Sequence, residues 1–386
     1  DLDLDGDVDL ALSTEWGPIR VYRQGEKGSW SEATSAMGLD RETWRGRWNS
    51  IAAADLDGDG RPDLVAGNWG RNTPEERHRF VSETGAPGDG WLRLYHGDFN
   101  ADGVHDVLEA WRDQAVQKDR PTQPMTVVAA SLPFVRGRFA THAAYGAATV
   151  AEVLGDTMSR AKLMTAGCAE TGVFLQRAGQ FEFRALPIEA QWAPVFGVVV
   201  ADADGDGAED LFLAQNFFAV RPHQPRFDAG VGCWLKGDGR GGFVSVSAAR
   251  SGVLIHGEQR GAAVSDYDGD GRLDLVVGQN GAETRLFRNL VATPGVRVIL
   301  RGPPANPAGI GARVGWVGVD SVMKEVQAGG GWLSQNGLAP LLPRVTGATE
   351  VRVVWPGGDE RRYPVPPAPV SATAAMSVTA TWVPKE

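Results

Sequence analysis

The sequence predicts an all-β protein, and three observations lead to this prediction. Glycine accounts for 50 of the 386 residues and proline for 23, which indicates many turns between short strands. An acidic nine-residue motif recurs at intervals of roughly 50 residues, a spacing typical of repeat architectures. Short apolar runs with β-branched residues stand before and after most copies, as expected for buried strands.

Composition and charge exclude several classes of protein. The chain has 48 acidic and 38 basic residues, which gives a formal net charge of −10. This balance argues against a nucleic-acid-binding protein that neutralises phosphates. The apolar content of 42% argues against wholesale disorder, and the absence of an apolar run of about 18 residues argues against a membrane-spanning helix.

The recurring motif has the form Asp-x-Asp-x-Asp-Gly-x-x-Asp, with Asn at the third position of one copy. The five copies, called Asp loops 1 to 5, are residues 1–9, 55–63, 98–106, 202–210 and 266–274. Positions 1, 3, 5 and 9 offer side-chain oxygens, and position 7 offers its backbone carbonyl. The predicted metal ligands are therefore Asp1, Asp3, Asp5, Asp7, Asp9, Asp55, Asp57, Asp59, Arg61, Asp63, Asp98, Asn100, Asp102, Val104, Asp106, Asp202, Asp204, Asp206, Ala208, Asp210, Asp266, Asp268, Asp270, Arg272 and Asp274.

The spacing of these residues favours Ca²⁺ as the bound ion, with up to five ions in the chain. Carboxylates at positions 1, 3 and 5 of a tight turn converge on one point, and glycine at position 6 permits the sharp reversal. Several acids this close cannot all remain ionised without a cation. One copy alone is compatible with an ordinary acidic turn, whereas five regularly spaced copies favour metal binding.

An EF-hand shares the first half of this motif but needs a bidentate Glu at position 12 and flanking helices. Position 12 is Leu12, Ala66, Glu109, Leu213 and Val277 in the five copies, so only the third copy fits. The segment upstream of that copy, residues 85–95, contains turn residues followed by an alternating strand pattern. We therefore expect loops between strands.

The apolar runs predict how these strands are organised. Short runs such as 51–54 and 64–68 flank the loops, and alternating runs at 19–23 and 284–288 predict a third strand. A fourth strand begins near residues 28 and 241. Four strands per repeat of about 50 residues predict the blades of a β-propeller. The 104 residues between the starts of loops 3 and 4 predict a further, degenerate copy near 153–167.

These units resemble the FG-GAP/VCBS repeats of integrin α-like propellers over residues 1–290. Phe196-Gly197 supplies the Phe-Gly pair of that family, and loop 4 follows it. The resemblance implies a calcium loop between the first two strands of each blade and about seven blades. Because the chain begins inside loop 1, without the strand that should precede Asp1, we expect a propeller incomplete at its N-terminus and part of a longer chain.

The C-terminal part resembles the ASPIC/UnbV domain, a small β domain that follows such propellers. The matching segments are residues 306–314, 325–336 and 351–358 within a predicted domain at 296–386. Apolar or alternating runs at 296–300, 313–317, 350–355 and 377–382 predict its strands. One helical insertion is expected near residues 131–155, where Ser131 and Pro133 can start a helix.

The sequence contains no HxH, HExxH, P-loop or Gly-x-Ser-x-Gly motif, so no catalytic constellation is predicted. The leading hypothesis is a secreted or cell-surface module in which calcium is structural and which recognises a protein or glycan partner in adhesion. The alternative is a polysaccharide lyase or hydrolase on the same scaffold. Aromatic segments at 68–74 and 217–225 are candidate ligand-facing surfaces, and Cys168 and Cys233 can be paired or free.

The net charge is concentrated in the Asp loops. Positions 1, 3, 5 and 9 hold 19 of the 48 acids, and the remaining 29 acids stand against 38 basic residues. Outside the loops the chain is therefore mildly basic. This basic excess is compatible with an acidic partner, such as a sulfated or uronic glycan.

Overall fold

The computed structural model describes residues 1–25, 28–78, 91–222, 224–366 and 375–384. These residues are mostly β, with 27 strands and five short α-helices, in agreement with the predicted all-β class. Neighbouring strands are antiparallel, apart from one parallel pair near the C-terminus. The described strands form separate open sheets, so a propeller remains a prediction.

Four sheets carry Asp loops 1, 2, 4 and 5, and in each the strand after the loop pairs with a third strand. Loop 1 leads into the sheet of β1 (Leu10–Leu12), β3 (Arg20–Gly25) and β4 (Ser29–Glu32), beside the small pair β2 (Glu15–Gly17) and β5 (Gly46–Arg47). Loop 2 joins the first two strands of the sheet β6 (Ser50–Ala54), β7 (Asp63–Gly67), β12 (Gly172–Arg177) and β13 (Gln180–Ala185). Loop 4 joins the first two strands of the sheet β14 (Val195–Ala201), β15 (Asp210–Gln215), β16 (Cys233–Gly237) and β17 (Phe243–Val246). Loop 5 joins the first two strands of the sheet β18 (Glu258–Ser265), β19 (Asp274–Asn280) and β20 (Arg285–Phe287).

Strands β6, β14 and β18 each form one edge of their sheet, and β14 packs between the other two. The apolar side chains between the sheets of loops 2 and 4 form a shared core that includes Val65, Leu211 and Leu235. A short helix, α5 (Ala248–Ser251), precedes β18. The predicted strands around the loops are thus present, and their packing places the Asp loops at the ends of buried strands.

Residues 68–171 separate β7 from its sheet neighbour β12, and they contain a sheet of their own around loop 3. Its strands are β8 (Leu92–Gly97), β9 (Asp106–Asp113), β10 (Lys118–Pro121) and β11 (Lys162–Ala166), in the order β10-β9-β8-β11. Four helices cover it: α1 (Met125–Ser131), α2 (Phe134–Arg138), α3 (His142–Ala147) and α4 (Val150–Leu154). The region expected to hold one helix therefore holds several short ones.

The prediction of a degenerate repeat copy near 153–167 is wrong. Thr149 and Glu152 form a capping box that starts α4, and a 3-10 helix at Gly155–Arg160 follows it directly. Val150, Val153 and Leu154 are buried in the core beneath these helices. Apolar spacing in this segment reflects one face of a helix, and β11 then returns to the sheet of loop 3.

The C-terminal residues form two further sheets around one core that contains Trp316 and Trp355. One sheet consists of β21 (Val296–Arg301), β24 (Leu341–Leu342) and β27 (Met376–Thr381), and the other of β22 (Arg313–Trp316), β23 (Val319–Glu325), β25 (Glu350–Trp355) and β26 (Asp359–Pro364). The four strands predicted from alternation correspond to β21, β22, β25 and β27. Among the described residues, no helix has the length and apolar character needed to cross a bilayer.

Residues 327–337, called the wedge segment, connect the C-terminal sheets to the edge strands. Gln327 Nε2 donates to Ala53 O on β6 at 2.9 Å, and Asn336 Oδ1 accepts from Val264 N on β18 at 3.1 Å. Gly331 lies against β14, and a Cβ atom added to Gly331 would come within 2.7 Å of Val198 O. The wedge segment thus satisfies backbone groups at sheet edges that would otherwise lack partners.

Candidate metal centres

The five Asp loops have the same turn, which is set by left-handed backbone at two positions. Glycine at position 6 has φ between +82° and +97° in all five copies, as the sequence predicted. Position 4 is also left-handed, with glycine in loops 2, 4 and 5 but Leu4 and Ala101 in loops 1 and 3. Strands follow every loop and precede loops 2 to 5, so the EF-hand alternative is wrong for this chain.

Side chains at the first half of each loop fold back onto its backbone. The position 1 carboxylate accepts the amide of the position 6 glycine in all five loops, for example Gly60 N to Asp55 Oδ2 at 2.9 Å. The position 5 carboxylate accepts the amide of position 7, as from Ala208 N to Asp206 Oδ1 at 2.9 Å. These bonds hold the carboxylates on the inner side of the turn. The role of the position 7 carbonyl as a ligand stays a prediction.

The position 9 carboxylate ties the loop to the sheet. Its Oδ2 accepts the position 2 amide in every copy, as from Ala203 N to Asp210 Oδ2 at 3.2 Å. In loops 1, 2, 4 and 5 its Oδ1 also accepts an amide from the third strand or the residues just after it. The donors are Gln24, Gln176, Gly237 and Asn289, at 2.7 to 3.1 Å. Position 9 is therefore a structural anchor as well as a predicted ligand.

Four of the five loops bring three carboxylates close enough to share one cation, with one oxygen of each within 4.8 Å of the others. The groups are Asp1, Asp3 and Asp5; Asp55, Asp57 and Asp63; Asp202, Asp204 and Asp206; and Asp266, Asp268 and Asp274. Loop 3 forms no such group among the described residues. There Asn100 replaces a carboxylate and its Nδ2 donates to Asp102 Oδ2 at 2.9 Å.

Burial makes four carboxylates of loops 2 and 4 costly to ionise. It raises the pKa of Asp63 and of Asp210 to about 7, and it also raises the pKa of Asp55 and Asp202. Burial acts in the same direction on Asp206, but hydrogen bonds from Lys236 and from the Ala208 amide outweigh it and lower the pKa. Buried acids of this kind favour a bound cation.

The donor set fits calcium. All predicted ligand atoms are oxygens, which is the hard-ligand environment that Ca²⁺ prefers. Asp266 Oδ1 is buried and accepts no hydrogen bond, although Oδ2 of the same carboxylate accepts Gly271 N and contacts Arg297. Asp1 Oδ1 is buried without a partner as well. A cation held by these oxygens would supply the missing interaction, and it would neutralise the charge that converges in each loop.

Sequence reasoning missed a set of basic side chains that contact the loops. Arg23, Arg177, Lys236 and Arg288 each form an ion pair with the position 3 carboxylate of the loop in their own sheet. A usable signal was present, since Arg23 and Arg288 end the two alternating runs that predicted a third strand. Arg297 on β21 contacts Asp266 from the C-terminal sheets.

The other candidate residues lie away from these clusters. Glu109 lies on β9 and belongs to none of the carboxylate groups. The aromatic segments 68–74 and 217–225 meet through Trp69 and Phe217, whose ring centroids are 5.3 Å apart in an edge-to-face arrangement. Cys168 and Cys233 are both buried, and they are not joined in a disulfide.

Comparison with known proteins supports the repeat assignment for the first part of the chain. The family model of the FG-GAP-like repeat matches residues 1–66, which include Asp loops 1 and 2. No curated protein matches the chain. The match thus covers the first loops and strands, and the resemblance of the C-terminal sheets to ASPIC/UnbV stays a prediction.

Proposed function

We propose that this protein is an extracellular calcium-binding β-propeller module that recognises a protein or glycan partner in adhesion. The observation that carries the proposal is the fourfold recurrence of a carboxylate triad in the same turn, at the same place in four sheets. The FG-GAP-like match over residues 1–66 supports an integrin-like propeller for these sheets. In this proposal the C-terminal sheets are the ASPIC/UnbV domain.

Calcium acts as a structural ion in this proposal, and the chain has no catalytic role. Each ion stabilises the turn between two buried strands by neutralising converging carboxylates. Calcium loops in extracellular modules have a Kd of about 10⁻⁴ to 10⁻³ M, which matches the calcium concentration outside a cell. The excess of basic residues outside the loops favours an acidic partner, such as a sulfated or uronic glycan.

The structural role of calcium is tested by thermal unfolding in calcium, in magnesium and in excess chelator. A ligand that binds only the folded state adds RT ln(1 + [L]/Kd) per site, about 2.7 kcal/mol at a hundredfold excess over Kd. We expect calcium, and not magnesium, to raise the Tm by well over ten degrees. An unchanged Tm in excess chelator would contradict the proposal.

Partner recognition is tested separately. The purified chain is passed over arrays of sulfated, uronic and neutral glycans and over matrix proteins, with calcium and with chelator. We expect calcium-dependent binding to acidic members, weakened by raising the salt concentration because exposed charges are screened. Equal binding to neutral and acidic glycans would contradict the charge argument and leave the calcium result intact.

A further inference from the structure

Four basic side chains reach the Asp loops from equivalent places. Arg23 lies on β3, Arg177 on β12, Lys236 on β16, and Arg288 directly follows β20. In each case the residue belongs to the third strand of the sheet, or to its end, and contacts the loop that leads into the second strand. The placement recurs in the sheets of loops 1, 2, 4 and 5, so we call these side chains the basic arms.

The position 9 anchor explains why the basic arms recur. The third-strand amide that donates to the position 9 carboxylate belongs to Gln24, Gln176, Gly237 or Asn289. Each basic arm is the immediate chain neighbour of one of these four residues. The hydrogen bond that attaches the loop to the sheet therefore also brings a cation to the loop in all four sheets. The basic arm precedes the anchoring residue in three of them, and Arg177 follows it in the sheet of loop 2.

The basic arms contact the carboxylate oxygens that the loop amides leave free. In loop 4, Asp206 Oδ1 accepts Ala208 N, while Asp206 Oδ2 lies 2.7 Å from Lys236 Nζ, which also contacts Asp204 Oδ2. In loop 5, Arg288 contacts Oδ2 of Asp268 and lies 3.3 Å from Oδ2 of Asp270. Arg177 contacts Oδ2 of both Asp57 and Asp59, and Arg23 contacts Oδ2 of Asp3.

The basic arms are partly exposed to solvent. Their side chains are between 34% and 60% exposed, so an arm that leaves the loop returns to water at little cost. Arg297 differs from them, because it contacts the buried Asp266 and also donates to Asp266 O at 2.9 Å. The four basic arms thus combine access to the ligand oxygens with freedom to leave.

We propose that the four basic arms are tethered competitors of calcium, which lower the affinity of loops 1, 2, 4 and 5. This inference rests on the proposed calcium binding. Calcium affinity in oxygen-ligand loops depends on the negative charge of the ligand set, and each arm cancels part of that charge. Loop 3 has no such arm among the described residues, so its calcium affinity is independent of this competition.

Lys236 offers the sharpest test, because Arg240 in the same hairpin provides a matched control. Arg240 is exposed and pairs with no loop carboxylate among the described contacts. Calcium titration by calorimetry is done on the wild type, Lys236→Gln, Lys236→Arg and Arg240→Gln. We expect Lys236→Gln to tighten one site about three- to tenfold, since two exposed ion pairs are lost. Lys236→Arg and Arg240→Gln should match the wild type.

Thermal unfolding separates competition from an ordinary structural contact. In chelator, Lys236→Gln should melt a few degrees below Arg240→Gln, because the loop 4 carboxylates lose their counter-charge. In saturating calcium the two variants should melt together, because the ion has displaced the arm.

Two results would overturn the proposal: an unchanged or weakened calcium affinity of Lys236→Gln, or an equal loss of Tm in both conditions. If the wild type itself binds no calcium, the proposed function fails instead, and this outcome is visible in the same titration.

Discussion

Asp loops 3 and 4 share one motif and one turn, yet their surroundings differ. Asp210 of loop 4 is 2% exposed and both of its oxygens accept backbone amides, whereas Asp106 of loop 3 accepts one, from Phe99. Lys236 contacts loop 4, and no basic side chain contacts a loop 3 carboxylate among the described residues. The motif determines the turn, while the neighbouring strand determines burial and charge compensation.

The difference follows from the sheet order. Loop 4 joins an edge strand to its neighbour, and β16 then supplies an amide and a cation. In the loop 3 sheet, β11 pairs with the outer side of β8. The third strand there, β10, supplies neither a backbone amide nor a basic side chain to loop 3 among the described contacts. We therefore expect loop 3 to contribute less to stability than its motif suggests.

The largest expected effect is the loss of the position 9 anchor. Asp210→Ala removes two hydrogen bonds to a buried carboxylate and should lower the free energy of unfolding by about 3 kcal/mol. Asp106→Ala removes one such bond at a more exposed place and should cost about 1 kcal/mol. Urea unfolding in chelator measures both without a metal contribution. Equal losses would show that the two loops are equivalent anchors.

The second expected effect is on the dependence of stability on pH. Burial raises the pKa of Asp63 and Asp210 to about 7, so the folded state keeps protons that the unfolded state has released above about pH 4. In chelator, stability should therefore fall as pH rises from about 4 to about 7. Calcium binds the ionised carboxylates and should reverse this slope.

Paired melting curves between pH 5 and pH 8 measure the two slopes. Asp210→Asn, which carries no titrating group at this position, should flatten the slope in chelator. The same downward slope with and without calcium would contradict metal binding by these carboxylates.

The local features of the fold were predictable, and the long-range ones were not. Glycine at position 6 is left-handed in every loop, because the turn needs a positive φ that glycine adopts without strain. The pairing of β7 with β12 across residues 68–171 was not predicted, since a periodic pattern does not state which strands become neighbours. The 104-residue spacing instead suggested a degenerate copy, where the chain forms α4 and β11.

In the candidate site, too, the local features were predictable and the long-range contacts were not. The motif identified the carboxylates, and the alternating run 284–288 already contained Arg288. The contact of Arg288 with Asp268 depends on the register between β19 and β20, which alternation alone does not specify. Residues 325–336, which overlap the wedge segment, suggested a family resemblance but no contact with β6, β14 or β18.

A third test addresses the turn itself. Gly103 has φ +84° and no atom lies within 4 Å of the place that a Cβ would take, so Gly103→Ala adds backbone strain without a clash. We expect a loss of about 1 to 2 kcal/mol in the free energy of unfolding. Gly137→Ala is the control, because that helical position is equally open but has no positive φ. It should be neutral or slightly stabilising.

The smallest effect is expected at position 4, where loops 2 and 3 carry different residues in the same backbone conformation. Ala101 of loop 3 has φ +61° and Gly58 of loop 2 has φ +74°. Ala101→Gly relieves strain of about 1 kcal/mol, and the greater freedom of glycine in the unfolded chain offsets part of it. The net gain should be about 0.5 kcal/mol, and Gly58→Ala should lose a similar amount. Opposite signs in urea unfolding would show that both loops share one turn, and a loss in both variants would mean that the loop 3 backbone differs from that of loop 2.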